Sequence, residues 1–351
     1  MLNKNGDPTS SSTDYNNEGY FFRGMYSYAN RYYGSVSFRR DASSRFDKDY
    51  RWGNFWSAGL AWIISKENFF RSKWVDELKV KASIGSQGND NIGNFLYADS
   101  YNIVNNNNSV AYQWLQKGTR DITWETNTNF NTGVEFSFFK SRLTGSVDYF
   151  YRKTTDMLFS LNTPPSVGYT SYYLNMGDMR NSGVEIVLGG DIIRTNDVTW
   201  SLDLNISHIR NKVLALPAEI KTTEVEGHHG YVNEDASFVS KYKYFVAEGL
   251  SLYTWYLPKY AGTDSETGEA LYYMDKTDEA TGEVTRTTTK NSAEATEYLC
   301  GDALPKVQGG FSTSFRYRNF DFSIQASYQL GGKGYDYVYQ VLMHTGGQTG
   351  T

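Results

Sequence analysis

The feature that most constrains this chain is an alternation of apolar and polar residues with a period of two, which recurs along most of its length. The stretch 200–208, WSLDLNISH, shows the pattern most clearly. Because successive side chains of a β-strand point to opposite faces, the pattern predicts strands with one apolar and one polar face. We count about twelve such segments, many of them near the roughly 9 to 11 residues of a tilted transmembrane strand. The chain is therefore predicted to be all-β.

A strand with two unlike faces fits two classes of protein. In 142–158, RLTGSVDYFYRKTTDML, the apolar residues Leu143, Val147, Tyr149 and Tyr151 alternate with the polar residues Thr144, Ser146 and Asp148. If the apolar face packs on a protein core, the protein is a soluble β-protein. If that face contacts lipid, the polar residues line the interior of a membrane barrel. The alternation alone leaves both open.

The lengths of the connections favour the barrel. Short turns are predicted near 31–34, at Lys140–Ser141, near 194–197 and at Arg318–Asn319, and long polar connections at 42–53, 86–128, 154–181 and 213–305. The connection 66–76 is the exception among the short turns, because it is longer and contains aromatic residues. Short periplasmic turns on one rim and long extracellular loops on the other are typical of antiparallel transmembrane β-barrels of outer membranes. We therefore expect the region 213–306 to be a long extracellular loop region.

Composition excludes several other classes. The net charge is −5, from 34 basic and 39 acidic residues, and no basic run stands out, so we expect no nucleic-acid partner. The longest apolar run, Ala58–Ile64, is far shorter than the roughly 20 residues of a membrane-spanning helix. Residues 1–18 contain no apolar segment and no cleavage site, so we expect them to be loop or disordered and to hold no signal peptide.

The sequence shows no pattern typical of an enzyme, a metal site or a cofactor site. His228 and His229 follow Glu224 and Glu226, but adjacent strand residues point to opposite faces and no H-x-H or HExxH spacing is present. The segment 264–269 resembles a calcium loop only loosely, and a solvated hairpin turn is the preferred interpretation. We expect no catalytic residues, no metal and no cofactor.

Aromatic residues of the long connections are the candidates for ligand binding. Aromatic rings can stack on sugar rings, and the alternative is that they fill loop interiors or lie in the aromatic girdle at the membrane interface. The substrate-binding candidates are Trp114, Tyr169, Tyr172 and Tyr173, with Trp124 and Trp255 as further loop aromatics.

Several blocks of the sequence resemble one family. They include RRDASSRF at 39–46, LKVKASIGSQGNDNIGNF at 78–95, WETNTNFNTGVEF at 124–136, WSLDLNISHIRNKVLALP at 200–217 and GDALPKVQGGF at 301–311. In this order they are similar to the late strands and loops of the SusC/RagA family of TonB-linked outer-membrane receptors. The blocks span roughly residues 19–350, and the part from 218 to 300 matches loosely.

The resemblance implies a fold and a set of partners. It implies a barrel of roughly 22 strands with a plugged lumen, in the outer membrane and energised through the TonB complex. It also implies a SusD-like lipoprotein partner and the import of oligosaccharides or peptides. In that frame the chain is expected to be a partial barrel of about twelve strands, residues 1–351, without the plug, the N-terminal domains and the segment that contacts TonB.

Two functions therefore stand as hypotheses. The first is the barrel part of a nutrient importer in the outer membrane, in contact with lipid and without covalent chemistry. The alternative is a soluble extracellular β-protein that binds glycans through its loop aromatics. The direction of the apolar faces discriminates between them.

Overall fold

The computed structural model describes residues 13–106, 109–233, 243–278 and 280–336. These residues form strands, turns and three short 3-10 helices, at Ile64–Lys66, Pro165–Val167 and Ala218–Ile220. The all-β prediction is confirmed. Residues 1–12 of the segment predicted to be loop or disordered lie outside the described residues, and the first strand begins at Asn17.

Ten strands form one large antiparallel sheet, and they alternate with connections of unequal length. In sheet order they are β1 (Asn17–Tyr28), β2 (Tyr32–Ser43), β3 (Trp52–Ile63), β4 (Val75–Asn89), β7 (Glu125–Phe138), β8 (Leu143–Thr155), β11 (Asp178–Arg194), β12 (Val198–Ala215), β21 (Val307–Tyr317) and β22 (Phe320–Leu330). Strands that are neighbours in the chain, apart from those in the long connections, are neighbours in the sheet.

The long connections carry strands of their own. Two hairpins are formed by β5 (Ser100–Asn106) with β6 (Ser109–Gln116) and by β9 (Leu158–Asn162) with β10 (Ser171–Asn175). A five-stranded sheet contains β13 (Thr223–Val225), β14 (His228–Asn233), β15 (Lys243–Ala247), β16 (Thr254–Pro258) and β20 (Glu297–Asp302). A three-stranded sheet contains β17 (Tyr260–Thr263), β18 (Ala270–Thr277) and β19 (Val284–Thr289).

The chain divides into two compact units. The first consists of Met1–Phe70, Lys79–Thr132 and Arg152–Asp178, and the second of Arg71–Leu78, Gly133–Tyr151 and Met179–Thr351. In the first unit Phe46, Phe55 and Trp124 pack together, with ring centroids of Phe46 and Phe55 at 5.4 and 5.3 Å from that of Trp124. In the second unit Val225, Phe245 and Ala247 form the core of the five-stranded sheet.

The register of β12, β21 and β22 shows how the two faces arise. Trp200 pairs with Phe315, which pairs with Phe322, and the next outward row is Leu202, Thr313 and Ile324. Five of these six side chains are apolar, and all five are between 38 and 61% exposed. The row between them is Ser201, Ser314 and Ser323. One face of the sheet is thus apolar and exposed, and the other carries hydroxyl groups.

The strand β8 shows the same division. Leu143, Val147 and Tyr149 are 36, 42 and 41% exposed, and Asp148 between the last two is half-buried. Tyr151, predicted to lie on the same exposed face, is half-buried. The exposed face is therefore apolar along most of this strand.

Three of the four short turns lie where the sequence places them. The turns after β7, β11 and β21 contain Lys140, Asp197 and Arg318, and Lys140 and Arg318 adopt positive φ angles of 59° and 49°. The turn predicted near 31–34 is wrong by about three residues, since Tyr32 begins β2. The turn consists of residues 29–31, in which Ala29 and Asn30 both have a φ of 51°, a left-handed value that Asn tolerates well.

Candidate functional site

The predicted ligand-binding aromatics lie on the two loop hairpins of the first unit. Trp114 is on β6, Tyr169 precedes β10, and Tyr172 and Tyr173 are on β10. The two hairpins are joined by a parallel bridge between Lys117 and Tyr172. This bridge brings side chains together that are far apart in the sequence.

Four rings form what we call the aromatic loop cluster: Tyr101, Trp114, Tyr169 and Tyr172. The ring of Tyr101 lies 4.4 Å from that of Trp114, centroid to centroid. Tyr169 contacts Trp114 edge-on at 6.0 Å, and Tyr172 contacts Tyr169 edge-on at 6.0 Å. Edge-to-face pairs are favoured by the charge distribution of the rings, so the cluster holds its own shape. Tyr101 remains 46% exposed and offers its surface to solvent.

The backbone on either side of Tyr169 places the Tyr169 ring in contact with Trp114. Gly168 has a φ of 92°, which side-chain-bearing residues rarely adopt, and a Cβ at this position would lie 3.3 Å from Cδ1 of Trp114. The hydroxyl of Thr163 donates to the carbonyl oxygen of Tyr169 at 2.6 Å. The turn between β9 and β10 therefore fixes the position of the Tyr169 ring.

A charged pair lies next to the cluster. The ammonium of Lys117 lies 5.5 Å from the ring centroid of Trp114 and 3.3 Å from Oδ1 of Asp99. The backbone N–H of Gly118 donates to the same carboxylate oxygen at 2.8 Å. This bond, together with Lys117, lowers the pKa of Asp99 from its usual value. The cluster thus combines exposed ring surface with one cation and one carboxylate.

Sequence reasoning identified three of the four rings. Tyr101 was missed, and the signal that could have found it is its place in an alternating segment opposite Trp114 in the hairpin register. Tyr173 follows Tyr172 directly in β10, so its side chain points to the other face of the hairpin.

The other loop aromatics have packing roles. Trp124 packs between Phe46 and Phe55, and its indole N–H donates to the carbonyl oxygen of Arg51 at 2.8 Å. Trp255 packs on Tyr244 at 4.5 Å and donates to the carbonyl oxygen of Lys333 at 2.7 Å. For these two residues the structure favours the interpretation that they fill loop interiors.

The blocks that carry the family resemblance meet in a network that we call the motif network: Ser43, Arg45, Asp90 and Asn94. The Ser43 hydroxyl donates to the Asp90 carboxylate at 2.6 Å, and Arg45 donates to the Asp90 carbonyl oxygen at 2.8 Å and to the Asn94 side-chain oxygen at 3.1 Å. Ser43 is buried. The network ties the end of β2 and the connection after it to the connection after β4.

The segment 264–269 is a turn closed by a lysine. The ammonium of Lys290 lies 3.0 Å from Oδ2 of Asp264 and 2.7 Å from Oε2 of Glu269. The backbone N–H groups of Thr267 and Glu266 donate to Oδ1 of Asp264. These bonds lower the pKa of Asp264 to about 2, the Thr267 N–H and Lys290 contributing most. The Lys290 ammonium thus occupies the position between the two carboxylates where a metal cation would have to bind.

The histidine pair has no metal-binding geometry. His228 and His229 are adjacent in β14, where they pair with Val225 and Glu224. Among the residues that the structure describes, no cluster of three or more His, Cys, Asp or Glu side chains has the arrangement of a metal site.

Nor does any helix in the described ranges have the length and apolar character needed to cross a membrane.

The sequence model of the TonB-dependent receptor-like β-barrel family matches residues 2–347. The chain belongs to this family. TonB-dependent receptor P39 of Formosa agariphila is 30% identical over 348 residues, which cover 89% of this chain and 33% of the relative. TonB-dependent receptor SusC of Bacteroides thetaiotaomicron is 30% identical over 333 residues, 91% of this chain and 31% of the relative.

Solved structures agree with the sequence relatives. The RagAB peptide transporter superposes with a TM-score of 0.74 at 26% identity, over 94% of this chain and 36% of that chain. The RagAB peptide importer in a closed-closed state gives a TM-score of 0.75 at 26% identity, over 95% of this chain and 36% of that chain. The chain thus spans about a third of the length of the relatives that it matches.

The predicted family and location are confirmed. The chain is part of the β-barrel of a TonB-dependent receptor of the SusC/RagA type, which is an outer-membrane protein. In such a barrel the exposed apolar face of the strands contacts lipid. The exposed apolar rows of β8, β12, β21 and β22 are therefore the lipid face. The family match favours the barrel over a soluble β-protein.

Proposed function

We propose that this chain is the barrel part of a receptor that imports oligosaccharides or peptides across the outer membrane. The observation that carries the proposal is the family match over residues 2–347. One structural neighbour supports the peptide part of this choice, since RagAB is described as a peptide transporter, and the oligosaccharide part follows from the family resemblance of the sequence. The transport involves no covalent chemistry in this chain.

In this proposal the polar face of the strands borders the path of the ligand. Across β12, β21 and β22 this face presents Asp203, Ser312 and Gln325 in one row and Ser201, Ser314 and Ser323 in another. Hydroxyl, amide and carboxylate groups exchange hydrogen bonds with sugars or peptides and with water at small net cost. Such a face lets a polar ligand move without being trapped.

The aromatic loop cluster is proposed as a ligand contact on the extracellular side. Its support is geometric, because three of the predicted residues converge and Tyr101 adds an exposed ring. Exposed aromatic rings bind sugar faces and peptide side chains, and Lys117 and Asp99 can bind polar groups at the cluster edge. Tyr173 is a less favoured candidate because it points away from Tyr172.

Two protein partners belong to the proposal. A SusD-like surface lipoprotein would cover the extracellular connections and deliver the ligand. The TonB complex would supply energy through the plug and the N-terminal domains. Because the chain spans about a third of the relatives, we place those parts in the remainder of the receptor.

The test is an uptake experiment in the cell that produces the receptor. Cells with and without the receptor gene are grown on mixed oligosaccharides and peptides, and the medium is analysed by mass spectrometry. We expect the mutant to leave a defined set of oligosaccharides or peptides in the medium, and removal of TonB to have the same effect. If the mutant consumes every oligosaccharide and peptide at the normal rate, the proposed function is wrong.

The cluster is tested in the same cells. The variant Trp114→Ala removes the central ring, and we expect uptake at low ligand concentration to fall roughly fivefold. Trp74→Ala is the control, since Trp74 is 70% exposed in the connection between β3 and β4, on the side of the short turns. Equal uptake by both variants at equal surface amounts would contradict a role of the cluster in binding.

A further inference from the structure

An apolar groove opens on the lipid face of the second unit. Its volume is about 490 Å³, within the roughly 300–1,000 Å³ range of ligand sites in proteins. It lies across β8, β11 and β12, close to the turn after β7. The apolar side chains that line it are Phe139, Leu143, Leu188, Ile192, Leu202 and Leu204.

A glycine in β11 makes room for the groove. Gly190 lines it, and a Cβ at this position would lie 3.0 Å from the carbonyl oxygen of Arg142 and 3.6 Å from Cδ1 of Leu143. The neighbouring walls are open to the membrane, since Phe139 is 52% and Ile192 46% exposed. The groove is thus a depression in the surface that contacts lipid.

One end of the groove carries a cation. Arg142, the residue before β8, lines the groove, and its Nη2 donates to the carbonyl oxygens of Ile192 at 3.2 Å and of Asp191 at 3.4 Å. In the described ranges no carboxylate lies within ion-pair distance of Arg142. The carboxylate of Asp191 accepts hydrogen bonds from Ser201 and Arg194 instead. Within the described part of the chain, the positive charge of Arg142 is therefore not balanced by a neighbouring carboxylate.

The position of this cation is at the membrane edge. The turn after β7 is one of the short turns, which lie on the periplasmic side of such barrels. A cation at the edge and an apolar depression directed into the bilayer match a molecule with an anionic head and a hydrocarbon chain.

We propose that this groove is a binding site for one phospholipid of the periplasmic leaflet. An acyl chain lies along the leucines and Phe139, and the phosphate binds the Arg142 guanidinium. The inference goes beyond ligand import and does not depend on it, because it rests on the lipid face and on Arg142.

A second groove in the first unit provides an internal comparison. It has a volume of about 300 Å³ and is lined by Tyr32, Leu60 and Trp62 among others. Tyr32 and Trp62 both donate to the carboxylate of Glu67, and Glu67 also pairs with Arg31 at 3.2 Å. The Glu67 carboxylate, bonded to two of the lining residues, is thus an anion at the edge of this groove, while Lys81 lies on its wall. The second groove therefore differs from the first in its smaller volume and in this anion.

The experiment is native mass spectrometry of the receptor purified from its outer membrane in mild detergent. The wild-type receptor is expected to keep one phospholipid. Arg142→Gln should lower its occupancy about fivefold, the effect of losing roughly one favourable cation–lipid contact. Leu202→Trp, which fills the groove from its wall, should lower it by about tenfold.

Two controls separate the site from general effects on the barrel. Arg318→Gln changes a cation at another short turn, and Leu60→Trp fills the second groove. Both should keep the lipid. The proposal is wrong if Arg142→Gln and Leu202→Trp retain as much phospholipid as the controls, or if the wild-type receptor carries detergent only or a second protein copy at this face. Heat-modifiable gel mobility verifies that each variant is folded. If one of the two variants does not fold, the phospholipid occupancy of the other decides the test alone.

Discussion

Replacing Gly88 with alanine should destabilise the first unit, because the ring of Phe55 occupies the space that a side chain would need. A Cβ on Gly88 would lie 2.1 Å from Cζ of Phe55 and 2.7 Å from Cε3 of Trp124. Ordinary contacts of a Cβ begin at 3.4 Å, so the Phe55 ring would have to move by more than 1 Å. Phe55 is only 7% exposed and packs edge-on against Trp124, which limits such movement.

The magnitude follows from two opposing effects. Overpacking of a well-packed site costs about 1–3 kcal/mol. Alanine also reduces the conformational entropy of the unfolded chain, which stabilises by roughly 0.4–1 kcal/mol where the backbone is compatible. We therefore expect Gly88→Ala to lower the free energy of unfolding by about 1–2 kcal/mol.

The matched control is Gly34→Ala. A Cβ at Gly34 would meet only Cδ2 of Leu60, at 3.7 Å, so this change should be neutral or slightly stabilising. The assay is urea unfolding of the receptor in detergent, with the transition midpoints of the two variants compared at equal m-values. Equal midpoints would refute the packing that we describe around Phe55.

Three further predictions concern the connections. Lowering the pH from 4 toward 2 should expose the hairpin around Asp264 to pepsin. The pKa of Asp264 is lowered from 3.8 to about 2 in the folded protein, so its carboxylate stabilises the fold above pH 3.8 and loses that effect as it is protonated. Lys290→Met should shift the onset of cleavage to higher pH, and an unchanged onset would count against the contact between Lys290 and Asp264. Calcium at millimolar concentration should leave the same cleavage unchanged, since Lys290 lies between the carboxylates, and protection by calcium would contradict this. Arg45→Ala should cost roughly 1–3 kcal/mol locally and increase chymotrypsin cleavage at Phe95–Tyr97, while Arg39→Ala, whose partner Asp41 lies in the same strand, should not; equal cleavage of the two variants would contradict the role of Arg45.

The sequence determines the strands better than the connections. The alternation in 200–208 predicts both faces of β12, because a one-residue shift in register would exchange them. The turns at Lys140 and Arg318 follow from the strands on either side. The turn at Ala29–Asn30 was misplaced because the segment RYYG ends in a turn-forming glycine, yet its tyrosines belong to β2.

The candidate site depends on contacts that a single sequence does not encode locally. Trp114 and Tyr172 were recognisable as loop aromatics, but their convergence depends on the bridge between two hairpins. Lys290 follows β19 and closes the turn at Asp264 from a distant part of the sequence, so no spacing within 264–269 could have indicated it. The motif network likewise joins residues of two connections, and only their quoted motifs gave a signal.

The most direct measurement of the central claim is the accessibility of successive positions along β12 in intact outer membranes. Single cysteines at 200–205, in a receptor with Cys300 replaced by serine, are spin-labelled and exposed to oxygen, which partitions into lipid, and to a water-soluble nickel complex. The account predicts high oxygen accessibility at Trp200, Leu202 and Leu204, and high nickel accessibility at Ser201, Asp203 and Asn205. The reverse pattern, or protection of the first three positions from both reagents, would contradict the assignment of the apolar face to lipid.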